Sequence, residues 1–319
     1  PGRGVVARQR RCGQQALGSV QAHPVASRHI HKHCGAAGSA ARHRMKLNPP
    51  SADTQRVWPL LILLLVVFDL PLLFTLGLSI HGKDGVTLDR YGELLGTPAY
   101  LGVLASTLRV SLIATLVNVL VGYPLAYWIK GLRPRGRGIA LACVLLPFWV
   151  SILVRTYAWI VVLGNGGLVN RFLLWSGLID DPISFLYAEF GVTVGMTNVL
   201  LPFLVLPLYA AMSRIDDRLL QAASSLGASR WTIFWRVFFP LTVPALAAAA
   251  LLVFMLSLGF YITPAILGGG KVAMVGNLLD ILINQIPRWE TAAALAAVLL
   301  ALTLAIYLVY ARLSRWGTT

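Results

Sequence analysis

This sequence predicts an all-α, polytopic membrane fold with six transmembrane helices, and three observations carry that expectation. Six apolar stretches are each long enough to cross a bilayer, which takes roughly 20 residues. The chain is 57% hydrophobic and 12% charged, with mean hydropathy +0.73, where a soluble domain carries about 25% charged residues. The connections between the stretches alternate between basic and near-neutral, the signature of loops sorted to opposite sides of a membrane.

Residues 1–44 come first and differ from the rest. They hold Arg3, Arg8, Arg10, Arg11, Arg28, Lys32, Arg42 and Arg44, most of the histidines and no acid, and Met45 is the first methionine. The segment is expected to be a disordered upstream extension outside the working protein. A basic nucleic-acid arm and a transit peptide are the competing readings, the second weakened by little helical amphipathicity. Residues 45–319 are the transmembrane domain. Most of the excess positive charge in this region sits in two connections, which points to topology and excludes nucleic acid as a partner.

The expected spans are residues 57–80, 101–128, 138–163, 190–212, 244–267 and 291–313. The second connection carries Lys130, Arg133, Arg135 and Arg137 without an acid. The fourth sets Arg214, Arg218, Arg230 and Arg236 against Asp216 and Asp217, and the tail adds Arg312 and Arg315. By contrast, the first, third and fifth connections are neutral or acidic, with Asp84, Asp89, Glu93, Asp180, Asp181, Glu189, Asp280 and Glu290 outweighing or matching their cations. The positive-inside rule then places both termini and the second and fourth connections in the cytoplasm. Small residues crowd the last two spans (Ala247 to Ala250, Ala292 to Ala294), which permits close helix packing in lipid.

The fourth connection, residues 213–243, is too polar for lipid and too regular for an idle loop. Trp231, Phe234, Trp235 and Phe238 fall at i, i+3, i+4 and i+7, one apolar helical face. Leu219, Ala223 and Leu226 repeat the pattern more weakly. Gly227 between them suits the residue just past a helix end, and Ser229 suits the N-cap of the next. Two short helices joined at a glycine are therefore expected, offered outside the bilayer to a partner or laid on the lipid surface.

Energy-converting chemistry is missing from the motifs. No phosphate-cradling Gly-x-x-x-x-Gly-Lys-Ser/Thr run occurs; Gly268-Gly269-Gly270-Lys271 is followed by Val272 and falls on the outer side. Outside residues 1–44, Cys143 stands alone, so neither a disulfide framework nor a metal site is expected, and no cofactor is. Any energised work must draw on an ion gradient or on a partner that hydrolyses nucleotide.

The loop resembles the signature of the membrane subunits of binding-protein-dependent ABC importers. That signature reads Glu-Ala-Ala, three residues, Gly, nine residues, Ile-x-Leu-Pro. Here it stands as Gln221-Ala222-Ala223, Gly227 and Val237-Phe238-Phe239-Pro240, with every spacing kept. Gln221 replaces a glutamate, so an ion pair made by the family residue becomes a hydrogen bond or is lost. Pro147-Phe148-Trp149-Val150-Ser151 with Arg155-Thr156-Tyr157-Ala158-Trp159, then 164–170, and Leu267 to Lys271 with Val275-Gly276-Asn277, are similar to spermidine/putrescine-type permeases. The resemblance implies a type I ABC importer permease in the bacterial inner membrane. It further implies an ATPase homodimer, a second homologous permease and a periplasmic substrate-binding protein as partners, with membrane lipid around them. Gln221, Ala222, Ala223, Gly227, Trp231, Phe234 and Pro240 would then form the ATPase-coupling loop. A secondary transporter is the alternative, weakened by the lack of paired broken helices in an inverted repeat; a permease for another solute is a second.

Charged and polar residues inside spans mark a candidate translocation path. Asp69 lies in span one beside Pro71, and Arg155 in the outer half of span three. Asp69 either pairs with Arg155 or Arg109 between helices, or lines the path and attracts a polycation. Tyr261 and Thr263 rank next, because Gly259 and Pro264 loosen their helix. Tyr157, Trp159 and Asn198 fit packing or interfacial roles better.

Overall fold

The computed structural model describes residues 52–82 and 85–316, so the extension expected at residues 1–44 lies outside the described residues. The chain divides into two compact units, residues 1–66 and 67–319. In the first, helix α1 (Ala52–Leu64) runs into the opening of a π turn (Leu65–Asp69). Its side chains from Trp58 to Val66 are exposed, as suits a helix whose solvent is hydrocarbon.

The second unit begins with α2 (Leu70–Ile80), a hairpin of two-residue strands (His81–Gly82 with Gly85–Val86) and α3 (Asp89–Gly96). The long α4 (Pro98–Gly131) follows, then α5 (Pro134–Leu145), a 3₁₀ turn (Leu146–Trp149), α6 (Ile152–Leu163), α7 (Leu168–Trp175) and α8 (Glu189–Ser213). The fourth connection holds α9 (Asp217–Ser225), after which α10 (Arg230–Ile233), a π turn (Phe234–Phe238) and α11 (Phe239–Leu258) run on without a break. The chain closes with α12 (Ile262–Leu267), α13 (Val275–Asp280), a third π turn (Ile281–Gln285) and α14 (Trp289–Trp316).

Among the described residues, six helical stretches are long and apolar enough to cross a membrane: Trp58–Ile80, Pro98–Gly131, Ile152–Trp175, Glu189–Ser213, Arg230–Leu258 and Trp289–Ser314. Two depart from the expected boundaries. The stretch expected at 138–163 is broken by Pro147 into α5 and α6, with Val150 and Ser151 extended between them. The apolar stretch beyond that break, Ile152–Trp175, is itself interrupted at residues 164–167. The fifth starts at Arg230 rather than 244 and ends at Leu258, leaving α12 as a separate piece.

Proline explains the three π turns. Each ends two residues before one: Asp69 before Pro71, Phe238 before Pro240, Gln285 before Pro287. Proline offers no N–H, and its ring presses on the carbonyl four residues back. Widening the preceding turn to i→i−5 bonds relieves that pressure. Thus Phe239 N–H donates to the Phe234 carbonyl, and Ile286 N–H to that of Ile281.

Helix α8 is the centre of the main core. It is apolar along most of its length, as a largely enclosed helix must be, and Met196, Leu200, Leu204, Leu208 and Met212 are fully buried. Helix α4 packs parallel to it through Val110, Ala114, Ala126 and Gly122. A Cβ on Gly122 would sit 2.5 Å from Leu204 Cδ2, so any side chain there requires the buried Leu204 to shift. Helix α12 seats Thr263 and Leu267 against Gly195 of α8 in the same way. A second cluster joins Leu94, Val275, Leu282, Ala292 and Leu295, and is edged by ion pairs Arg90–Glu290 (3.3 Å) and Arg288–Glu93 (3.8 Å).

Candidate coupling site and membrane path

The fourth connection is built from the backbone outward. Asp216 caps α9, its carboxylate accepting the Arg218 N–H at 2.9 Å. The helix ends in a Schellman motif: Ala228 N–H donates to the Ala223 carbonyl, and Gly227 N–H to that of Ser224. Gly227 takes φ +83°, a left-handed conformation that side chains strain to adopt. Open space surrounds it, so the demand for glycine in this chain is one of backbone angle rather than room. Ser229 then caps the next helix by accepting the Thr232 N–H at 3.2 Å. These caps match the expected ones; the expected second short helix is instead the start of the long Arg230–Leu258 stretch. The π turn forced by Pro240 keeps that helix unbroken.

The loop's apolar faces are divided between anchoring and display. Phe238 is buried and Phe234 half-buried, and the ring of Tyr127 on α4 meets both edge-on at 5.2 Å. Tyr123, one turn earlier, packs its edge on Phe239 and shares a 3.0 Å hydrogen bond with Thr242. Leu226 and Trp231 point the other way, 89% and 72% exposed. Gln221, Ala222 and Gly227 are exposed as well, with Ala223 half-buried. The main-chain carbonyl of the exposed Gln221 accepts from the Ser224 and Ser225 hydroxyls (2.7 and 3.1 Å).

The candidate path residues do not form one cluster. Asp69 ends the first π turn, exposed, and none of the ion pairs among the described residues includes it. Arg109 pairs with Glu189 at 3.2 Å, so the expected pairing of Asp69 with Arg109 is replaced by one that joins α4 to the first residue of α8. Nor does Arg155 meet Asp69: its Nε and Nη1 are enclosed without a partner. Thr263 is fully buried, its hydroxyl unpartnered and its methyl against Gly195. Tyr261 lies half-open at the break between α11 and α12, its carbonyl accepting from Asn277 at 3.4 Å.

Several contributors lie outside the residues singled out in the sequence. Lys130, read there only as a topology charge, pairs with Asp217 at 3.4 Å and sits 4.7 Å over the Phe238 ring. Tyr123 and Tyr127, spaced i and i+4 in the last turns of α4, were a legible signal for an aromatic dock. Asn118 and Thr197 each leave one enclosed oxygen unpartnered, like Arg155 and Thr263, on helices that contact α8 or are α8 itself. No cluster of metal-binding side chains exists among the described residues.

Comparison with known proteins fits this architecture. Residues 118–316 match the family model described as binding-protein-dependent transport system inner membrane component. The chain is 37% identical over 260 residues to the spermidine/putrescine transport system permease protein PotB of Escherichia coli, covering 79% of this chain and 94% of that one. Its identity to the protein of the same description in Haemophilus influenzae is also 37%, over 75% and 86% of the two chains. Among solved structures, a chain of a bacterial ABC transporter involved in the import of the acidic polysaccharide alginate superposes with TM-score 0.66 at 22% identity, covering 84% of this chain and 98% of that chain. A model match over more than half the chain, with relatives matched over most of their length, means that this chain belongs to the binding-protein-dependent transport system inner membrane components.

Proposed function

We propose that this chain is one of two homologous permeases in an ATP-driven importer that carries polyamines, spermidine or putrescine, across the bacterial inner membrane. An ATPase homodimer would supply the hydrolysis and a periplasmic binding protein the substrate. Membership of a binding-protein-dependent family displaces the ion-gradient alternative. The observation that carries the reading is the fourth connection: a capped, glycine-jointed helix with Leu226 and Trp231 held outward and Phe234 and Phe238 docked behind them. The residues at 213–243 are read as the coupling loop, with Gln221, Ala222, Ala223, Gly227 and Trp231 toward the ATPase, and Phe234 and Pro240 setting its geometry. ATP-driven closure would move this loop and swing the helices around a path near the midplane.

The polyamine assignment rests on the relatives' descriptions. The charge balance of the connections supports cytoplasmic termini, and Asp69, Arg155, Tyr261 and Thr263 are read as path residues. Arg155 favours one second reading. A half-buried guanidinium with two enclosed, unpartnered nitrogens inside a span suits an anionic solute better than a polycation.

Uptake by the assembled importer, with labelled spermidine and with labelled sulfate as the anionic probe, separates the two. ATP-dependent spermidine uptake that Gly227→Asp abolishes together with ATPase co-purification supports the proposal. Sulfate uptake without spermidine uptake rejects the polyamine reading and keeps the permease. ATP-independent uptake rejects both.

A further inference from the structure

The inner end of α4 is gripped from two sides by the fourth connection, and a single ammonium joins the two grips. Lys130 Nζ lies 3.4 Å from Asp217 Oδ1, in the first turn of α9, and 4.7 Å from the centre of the Phe238 ring, in the π turn that opens the fifth span. The Lys130 side chain is 15% exposed, whereas Asp217 is largely open to solvent. An ion pair with one exposed partner holds little by itself. Here the same ammonium also faces an aromatic ring, where the quadrupole attracts it, and Tyr127 one turn earlier meets Phe234 and Phe238 edge-on. The end of α4 is fastened in turn by Arg137, whose guanidinium donates to the carbonyls of Lys130 and Leu132 at 3.0 and 3.3 Å. That satisfies acceptors which a helix terminus leaves open.

From these contacts we infer that Lys130 is a positioning residue for energy coupling. It ties the partner-facing helix α9 to α4 and to the start of the fifth span, so that displacement of α9 moves two spans together. Helix α4 is a suitable rod. It is 34 residues long and carries, twenty-one residues before this grip, the Arg109–Glu189 pair that ties it to the start of α8. The grip lines an open groove of about 700 Å³, with Lys130, Asp217, Phe234 and Phe238 on its walls beside Trp128 and Leu220, which gives the arms room to move. Without Lys130, α9 would still meet the ATPase through Leu226, but it would be held to the core by the apolar packing of Leu220 without the charged link to α4.

This inference rests on the coupling reading above, and the test separates the two. The whole importer is purified, reconstituted, and assayed for both ATP hydrolysis and spermidine transport. Lys130→Gln is expected to keep ATPase co-purification and hydrolysis while several-fold more ATP is consumed per spermidine moved. Lys130→Arg, which keeps the charge and the contact with the ring, is expected to restore the wild-type ratio. Asp217→Asn should raise the ratio by less, and the double variant should be no worse than Lys130→Gln alone. An unchanged ratio in Lys130→Gln overturns the inference, as does a parallel loss of hydrolysis and transport that Lys130→Arg shares. A wild-type chain that never assembles with an ATPase overturns the coupling reading itself, before Lys130 is altered.

Discussion

Arg109 and Glu189 form a 3.2 Å ion pair that ties α4 to the first residue of α8. Twenty-one residues further along α4, Lys130 pairs with Asp217 just past the other end of α8. At 1.5 Å per residue the two pairs stand roughly 31 Å apart, which is the thickness of the hydrocarbon core, about 30 Å. Between them α4 presents Val110, Ala114, Gly122 and Ala126 to α8. The two pairs therefore stand about one hydrocarbon thickness apart along α4.

This ruler makes topology measurable. In a background with Cys12, Cys34 and Cys143 replaced by Ser, a membrane-impermeant thiol reagent should label Leu178→Cys in intact spheroplasts. It should label Leu226→Cys only after permeabilisation. Both are exposed side chains on opposite connections, so equal labelling before permeabilisation would contradict the assignment of sides.

Gly227→Ala tests the backbone demand at the joint. A side chain held in the left-handed region costs about 1–2 kcal/mol, and the Cβ meets nothing in this chain. The variant should reach the membrane at near wild-type level while uptake falls. Gly227→Asn, better suited to that conformation, should retain more uptake than Gly227→Val at equal abundance.

Gly122→Val tests the other kind of glycine. Its Cβ would fall against the buried Leu204 and, with the added methyls, overpack the contact between α4 and α8. Overpacking of this sort costs about 1–3 kcal/mol. The outcome expected is a lower melting temperature of the detergent-solubilised chain, with Gly122→Ala intermediate.

Pro240→Ala removes the cause of the π turn. The helix from Arg230 to Leu258 can then take ordinary i→i−4 bonds, which rotates Trp231 and Phe234 relative to α11. Thermal stability should stay level or rise while transport drops, read by melting and uptake on the same preparation.

Asp69→Asn tests the path. Asp69 has no ion pair to lose among the described residues, so abundance should be unchanged and spermidine uptake should fall, with Asp69→Glu retaining more. Unchanged uptake would remove Asp69 from the path.

Much of this was legible in the sequence, for physical reasons that differ by feature. The six apolar stretches declare themselves because hydrocarbon tolerates little else, and Gly227 and Ser229 declare their caps because few residues do those jobs. The break of the third stretch was signalled by Pro147, and all three π turns by the prolines two residues beyond, yet apolar length masked them. What could not be read was which charges meet. Arg109 has several acids within reach in the abstract, and only the parallel packing of α4 on α8, set by Gly122, selects Glu189 over Asp69. Likewise, the apolar face of Trp231, Phe234, Trp235 and Phe238 is one stripe in sequence. The rings of Tyr123 and Tyr127 divide it into an anchored half and a displayed half.

The central claim is that the displayed half meets an ATPase rather than lipid. It is tested most directly by placing a photoreactive amino acid at Leu226, the exposed tip of the loop, and irradiating the assembled importer in native membranes. The account predicts an adduct with the ATPase subunit whose yield changes when ATP is bound. Adducts with phospholipid alone, at full abundance of the complex, would contradict it.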